Sequence, residues 1–94
     1  MRHPNQVSSS EYQSISQQII SGVSWIARVP ASHLCFSTNL KDDLSLDAID
    51  FTLLISQLEH RFDLVLSKEE VAKIETIKDV IACFSKHLEA RVTA

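Results

Sequence analysis

Four aspartates, Asp42, Asp43, Asp47 and Asp50, crowd into one short stretch of the chain. Clustered carboxylates are what hard divalent cations prefer as ligands. The stretch lacks the spacing and the turn glycine of an EF-hand loop, so it reads as a solvated acidic patch that also caps a helix. His3, His33, His60 and His87 are scattered over four segments, and with Cys35 and Cys83 they match no zinc spacing. No nucleophile, base and orienting group stand in a recognisable set, and one glycine cannot build a phosphate-cradling loop. No metal site is expected, and the chain is not expected to be an enzyme.

These residues need a scaffold, and composition narrows it. The 94 residues suffice for one domain, and a hydrophobic fraction of 45% supports a single core. One Gly and two Pro leave few tight turns, which argues against a sheet protein. The net charge is −3, unevenly spread: residues 39–94 hold 11 acids and 7 bases. No Lys/Arg stripe is present to neutralise phosphates, so nucleic acid is excluded as a partner and a basic protein surface is expected instead. No run reaches the ~18 apolar residues of a membrane span, and the polar first ten residues hold no signal-peptide core. The expected setting is the cytoplasm, with both cysteines reduced and semi-buried in preference to a disulfide.

The spacing predicts an all-α chain. Residues 1–8 read as a flexible arm, 9–90 as one domain and 91–94 as a tail. A first helix starts near Ser8 or Ser9, with Ser8 and Glu11 as a capping box. Its stripe is Tyr12, Ile15, Ile19, Val23 and Ile26, and Pro30 ends it. Trp25 lies off the stripe and reads as a core or core-edge aromatic rather than a dimer contact. Residues 30–46 form a long connection, with room for a short helical turn, pinned to the core by Leu34, Phe36, Leu40, Leu44 and Leu46. Asp47 caps a second helix, with Asp50 at the reciprocal position and both carboxylates favoured at the positive helix end. Phe51, Leu54, Ile55, Leu58 and Phe62 give it an apolar stripe, and it ends around 61–63. Ser67 with Glu70 opens a short third helix carrying Val71 and Ile74. Thr76 with Asp79 opens a fourth, carrying Ile77, Val80, Ile81, Phe84 and Leu88.

From Leu40 to Phe62 the chain resembles the central segment of acyl carrier proteins, the small four-helix bundles of fatty-acid and polyketide synthesis. The residues that carry the resemblance are the acidic Asp42-Asp43-Leu44 loop, the Asp47-Ala48-Ile49-Asp50 helix start, and the short helix before Thr76-Ile77-Lys78-Asp79. It covers residues 38–90 well and the first helix in outline. It implies three long helices and one short, with a long loop between the first two. It also implies that the residue after Asp47 is the serine to which 4'-phosphopantetheine is attached. Here that position is Ala48, which has no hydroxyl. As written, the chain is expected to carry no cofactor. The prosthetic group is expected only if position 48 is natively serine. An engineered serine-to-alanine change and a natural loss are both compatible with the sequence. Ser45 is no substitute, being a loop residue where the family often has glycine.

With the second helix's stripe turned inward, Ile49, Asp50, Thr52, Leu53, Ser56, Glu59 and His60 turn partly outward. Ile49 and Leu53 then form a small apolar pair rimmed by Asp47, Asp50 and Glu59. The resemblance implies that this face meets biosynthetic enzymes: a phosphopantetheinyl transferase, and ketosynthase- or acyltransferase-type partners. Leu53, His60 and Arg61 stand where the family is often acidic, which points to a dedicated pathway. The expected function is an acyl carrier, monomeric, in a form that cannot take the prosthetic group. The alternative is a non-carrier interaction module that keeps the fold.

Overall fold

The computed structural model describes residues 9–93, with side-chain surroundings for residues 14–90. The arm at 1–8 and the Ser8–Glu11 capping box lie outside the described residues, as does the side chain of Tyr12. Four helices follow one another: α1 (Ser9–Ala27), α2 (Ala48–Phe62), the short α3 (Lys68–Ala72) and α4 (Ile77–Thr93), with one 3-10 turn at Ala31–His33. Among the described residues there is no strand, and only an isolated bridge pairs Asn39 with Thr76. The helix at 91–93 continues past the boundary expected at residue 90.

α1 packs against both α2 and α4. Their apolar faces enclose one core built on Ile19, Val23, Leu54, Leu58, Ile77, Val80, Ile81 and Phe84. This is the burial that helical periodicity demands: each long helix contributes residues three and four apart. Phe62 and Phe84 close the core with ring centroids 5.4 Å apart, tilted by 43°.

α1 stops earlier than Pro30 requires. Arg28 takes a left-handed conformation (φ 59°), and the Val29 N–H reaches back to the Ser24 carbonyl at 3.2 Å. That is a Schellman-type end, so the helix is already closed when the proline arrives.

The connection from 28 to 47 is pinned where apolar spacing places it. Leu40 and Leu46 are buried, and Leu34 and Leu44 pack partly against the core. Phe36 is the exception: it is 50% exposed, and the residue is tied in through its backbone carbonyl, which accepts the Lys78 N–H at 2.9 Å. Two further backbone bonds, Leu40 N–H to Glu75 and Ile77 N–H to Thr38, lace this loop to the start of α4.

Both downstream capping boxes form. The Ser67 hydroxyl accepts the Glu70 N–H (3.1 Å), and the Glu70 carboxylate accepts the Ser67 N–H (2.9 Å). Thr76 and Asp79 exchange the same pair of bonds, and Asp79 also accepts the Glu75 N–H. The Asp79 carboxyl is accordingly held below the usual range, chiefly by the Glu75 and Thr76 backbone N–H groups.

Candidate functional site at the start of the second helix

The loop before α2 is shaped by side chains that bond their own backbone. The Asn39 amide oxygen accepts the N–H groups of Lys41 and Asp42, and the Asp43 carboxylate accepts the Asn39 N–H at 2.7 Å. Ser45 then takes φ 57°, the left-handed region in which glycine is at ease. This accounts physically for a glycine preference there. It also keeps Ser45 in a turn rather than at a helix start.

Asp47 is the N-cap of α2: its Oδ1 accepts the Asp50 N–H at 2.8 Å, and its carbonyl accepts the Phe51 N–H. The return bond from the Asp50 carboxylate to the Asp47 backbone is not among those formed, so the cap is one-sided. Ala48 is the first helical residue and is exposed. The backbone N–H groups of Ala48 and Ile49 have no acceptor among the described residues. This is the geometry in which a helix end favours an anion. A phosphate would be welcome there, but a phosphodiester needs an oxygen on the side chain, and the methyl of Ala48 supplies none. The residues present therefore do not fit a covalently held phosphopantetheine.

Along the rest of α2, Ile49 is 72% and Leu53 50% exposed, and Thr52, Ser56 and His60 are exposed beside them. Asp50 is half-buried. Glu59 differs from its expected place on the rim. It is half-buried, and its Oε2 accepts the Leu66 N–H at 2.8 Å, so it ties the connection after α2 back onto the helix.

Trp25 does not lie at the core or its edge, where the sequence predicts it. It is 77% exposed, because position 25 is a full 200° around the helix from Val23, outside the stripe. The aspartates do not converge either. Asp43 and Asp47 serve the backbone, and among the described residues no group of three or more His, Cys, Asp or Glu is placed to hold a metal ion.

Both cysteines are free. Cys35 is exposed rather than semi-buried. The Ser37 and Thr38 hydroxyls, 3.2 and 3.3 Å from its sulfur, hold the thiol below its ordinary pKa. Cys83 is half-buried, and burial pushes its thiol up. The Cys35 environment was missed from sequence, although a Cys-X-Ser-Thr run carries the signal: two hydroxyls within one turn of a thiol.

Comparison with known proteins agrees with the four-helix fold. A family profile described as "Phosphopantetheine attachment site" matches residues 17–84. A solved structure from Mycobacterium tuberculosis, named as an acyl carrier protein, superposes with a TM-score of 0.73 at 26% identity. The match covers 78% of this chain and 97% of that one. A solution structure from Anaplasma phagocytophilum, named likewise, gives a TM-score of 0.67 at 31% identity, over 82% and 86% of the two chains. No helix among the described residues is long and apolar enough to cross a membrane.

Proposed function

Starting from the fact that this chain belongs to the phosphopantetheine-attachment-site family, we propose that it is an acyl carrier domain arrested in its unmodified form. The observation that carries the proposal is the place of Ala48. It is exposed, first in α2, next to two free backbone N–H groups, and lacks only a hydroxyl. Residues 9–90 form the carrier domain. With serine at 48, the domain would carry 4'-phosphopantetheine and serve fatty-acid, polyketide or related lipid synthesis in the cytoplasm, as a monomer. The core between α1, α2 and α4, lined by Ile15, Ile19, Leu54, Leu58, Ile81 and Phe84, is the apolar space available to an acyl chain. The domain itself catalyses nothing.

Its partners are the enzymes that modify and use a carrier: a phosphopantetheinyl transferase, and ketosynthase- or acyltransferase-type proteins. They dock on Ile49, Thr52, Leu53, Ser56 and His60, with Asp47 and Asp50 beside them for basic groups of the enzyme. Glu59 contributes less, since one of its oxygens is already engaged. The test is intact mass after incubation with a transferase and coenzyme A. The chain as it stands should stay unchanged, and Ala48→Ser should gain about 340 Da, the size of the added group. No gain across several transferases would defeat the carrier reading.

A second reading rests on the Ile49/Leu53 pair, which is exposed without any cofactor. In it, alanine at 48 is native and the chain is an interaction module. Such a module should retain a stable partner in the absence of coenzyme A and lose it on Leu53→Glu. A partner indifferent to Leu53→Glu would count against this face.

A further inference from the structure

Trp25 is the single tryptophan of the chain, and it stands in water between two grooves. The first, of about 720 Å³, runs between α1 and α2 and is lined by Ser21, Gly22, Ser56, Gln57, His60 and Arg61 beside the indole. The second, of about 520 Å³, follows α1 and is lined by Ser21, Ser24 and Arg28. The first groove lies where Gly22 of α1 packs beside Leu54 and Leu58 of α2, and the small side chains of Ser21 and Ser56 leave its rim empty.

The charge of this surface runs against that of the chain. The net charge is −3, yet neither groove is lined by a carboxylate. A guanidinium stands in each, Arg61 in one and Arg28 in the other. Neither has a hydrogen bond or ion pair among the described residues. Five of the 12 acids are engaged elsewhere: Asp43 and Asp47 on the loop and the α2 cap, Glu59 on Leu66, Glu70 and Asp79 on the later caps. Tryptophan and arginine are the side chains that concentrate binding energy in interfaces, the one by area and the other by directed pairing with carboxylates. An indole left in water between two unpaired guanidiniums fits one kind of ligand, an apolar group flanked by negative charge.

We infer that the Trp25 surface docks an acidic segment of a partner protein, whose apolar side chains cover the indole and whose carboxylates pair with Arg28 and Arg61. This is independent of what position 48 can carry. Ser56 and His60 belong both to this groove and to the outward side of α2, so the two surfaces are continuous. They differ in sign: Asp47 and Asp50 select basic groups, and the Trp25 grooves select acidic ones.

The test uses the full chain as bait for a random dodecapeptide phage library. Enriched peptides should combine Asp or Glu with aromatic or aliphatic residues. A synthetic copy of the best one should shift Trp25 fluorescence to the blue, and added salt should weaken it. Arg28→Glu with Arg61→Glu should weaken its Kd at least about tenfold, roughly 1.4 kcal/mol. Trp25→Ala should do the same by calorimetry. All three side chains are exposed, so circular dichroism should show the variants folded. Peptides that are basic or neutral, affinities unmoved by these substitutions, or no enrichment at all would overturn the inference. So would sedimentation showing a dimer that withdraws Trp25 from water, since the occupant would then be a second copy of the chain.

Discussion

Glu70 and His87 join α3 to α4: the Glu70 Oε2 lies 2.8 Å from the His87 Nε2, while its other oxygen holds the Ser67 N–H. One carboxylate thus serves as cap and clasp for a helix of five residues, too short to stand by itself. The Ser67 N–H and then the His87 hydrogen bond hold the Glu70 carboxyl below its ordinary pKa.

A pH dependence follows. A carboxyl whose pKa is lower folded than unfolded contributes its stability above the unfolded value and loses it as pH falls through the folded one. Glu70 and Asp79 both act in this direction. Urea unfolding should therefore show stability falling from pH 5 towards pH 3, and Glu70→Gln should make that fall shallower. An unchanged slope in Glu70→Gln would mean that the clasp contributes nothing.

Gly22 sits in the middle of α1, and a methyl group added there would meet the Leu58 Cδ2 at 3.4 Å and the Leu54 Cδ1 at 3.7 Å. Those are ordinary contact distances. Gly22→Ala removes the helix penalty of glycine and should stabilise the fold by about 1 kcal/mol in thermal or urea unfolding. Gly22→Phe has no such space and should force α1 away from α2, lowering stability.

Ser45 bears the left-handed conformation that glycine adopts without strain. Ser45→Gly relieves about 1–2 kcal/mol of local cost and returns part of it through the freer unfolded chain. The net gain should be about 0.5–1 kcal/mol by denaturant midpoint. A loss on this substitution would show that the serine hydroxyl, rather than the backbone, sets the turn.

What could be read from the chain alone was mostly what is local. The Ser67–Glu70 and Thr76–Asp79 boxes are complete within three residues of sequence, and the α2 stripe from Phe51 to Phe62 repeats often enough to define its buried side. Contacts that join distant segments left no such trace. The Glu59 bond to Leu66, the Glu70–His87 clasp and the bridge of Asn39 with Thr76 depend on how elements meet. Trp25 was misplaced because size and apolarity suggested burial, while its angle on α1 and the small residues opposite decided for exposure. At the site, Asp47 and Ala48 were legible from the cap pattern. The direction of Glu59 and the left-handed stop at Arg28 were not.

If position 48 is the point where a prosthetic group joins the chain, transfer should occur there and not at Ser45. The most direct measurement is fragment-ion mass spectrometry of Ala48→Ser after treatment with a phosphopantetheinyl transferase and coenzyme A. The added group should be found on residue 48, and a chain that also carries Ser45→Ala should be modified as fully. Modification at Ser45, or at no residue of Ala48→Ser, would contradict it.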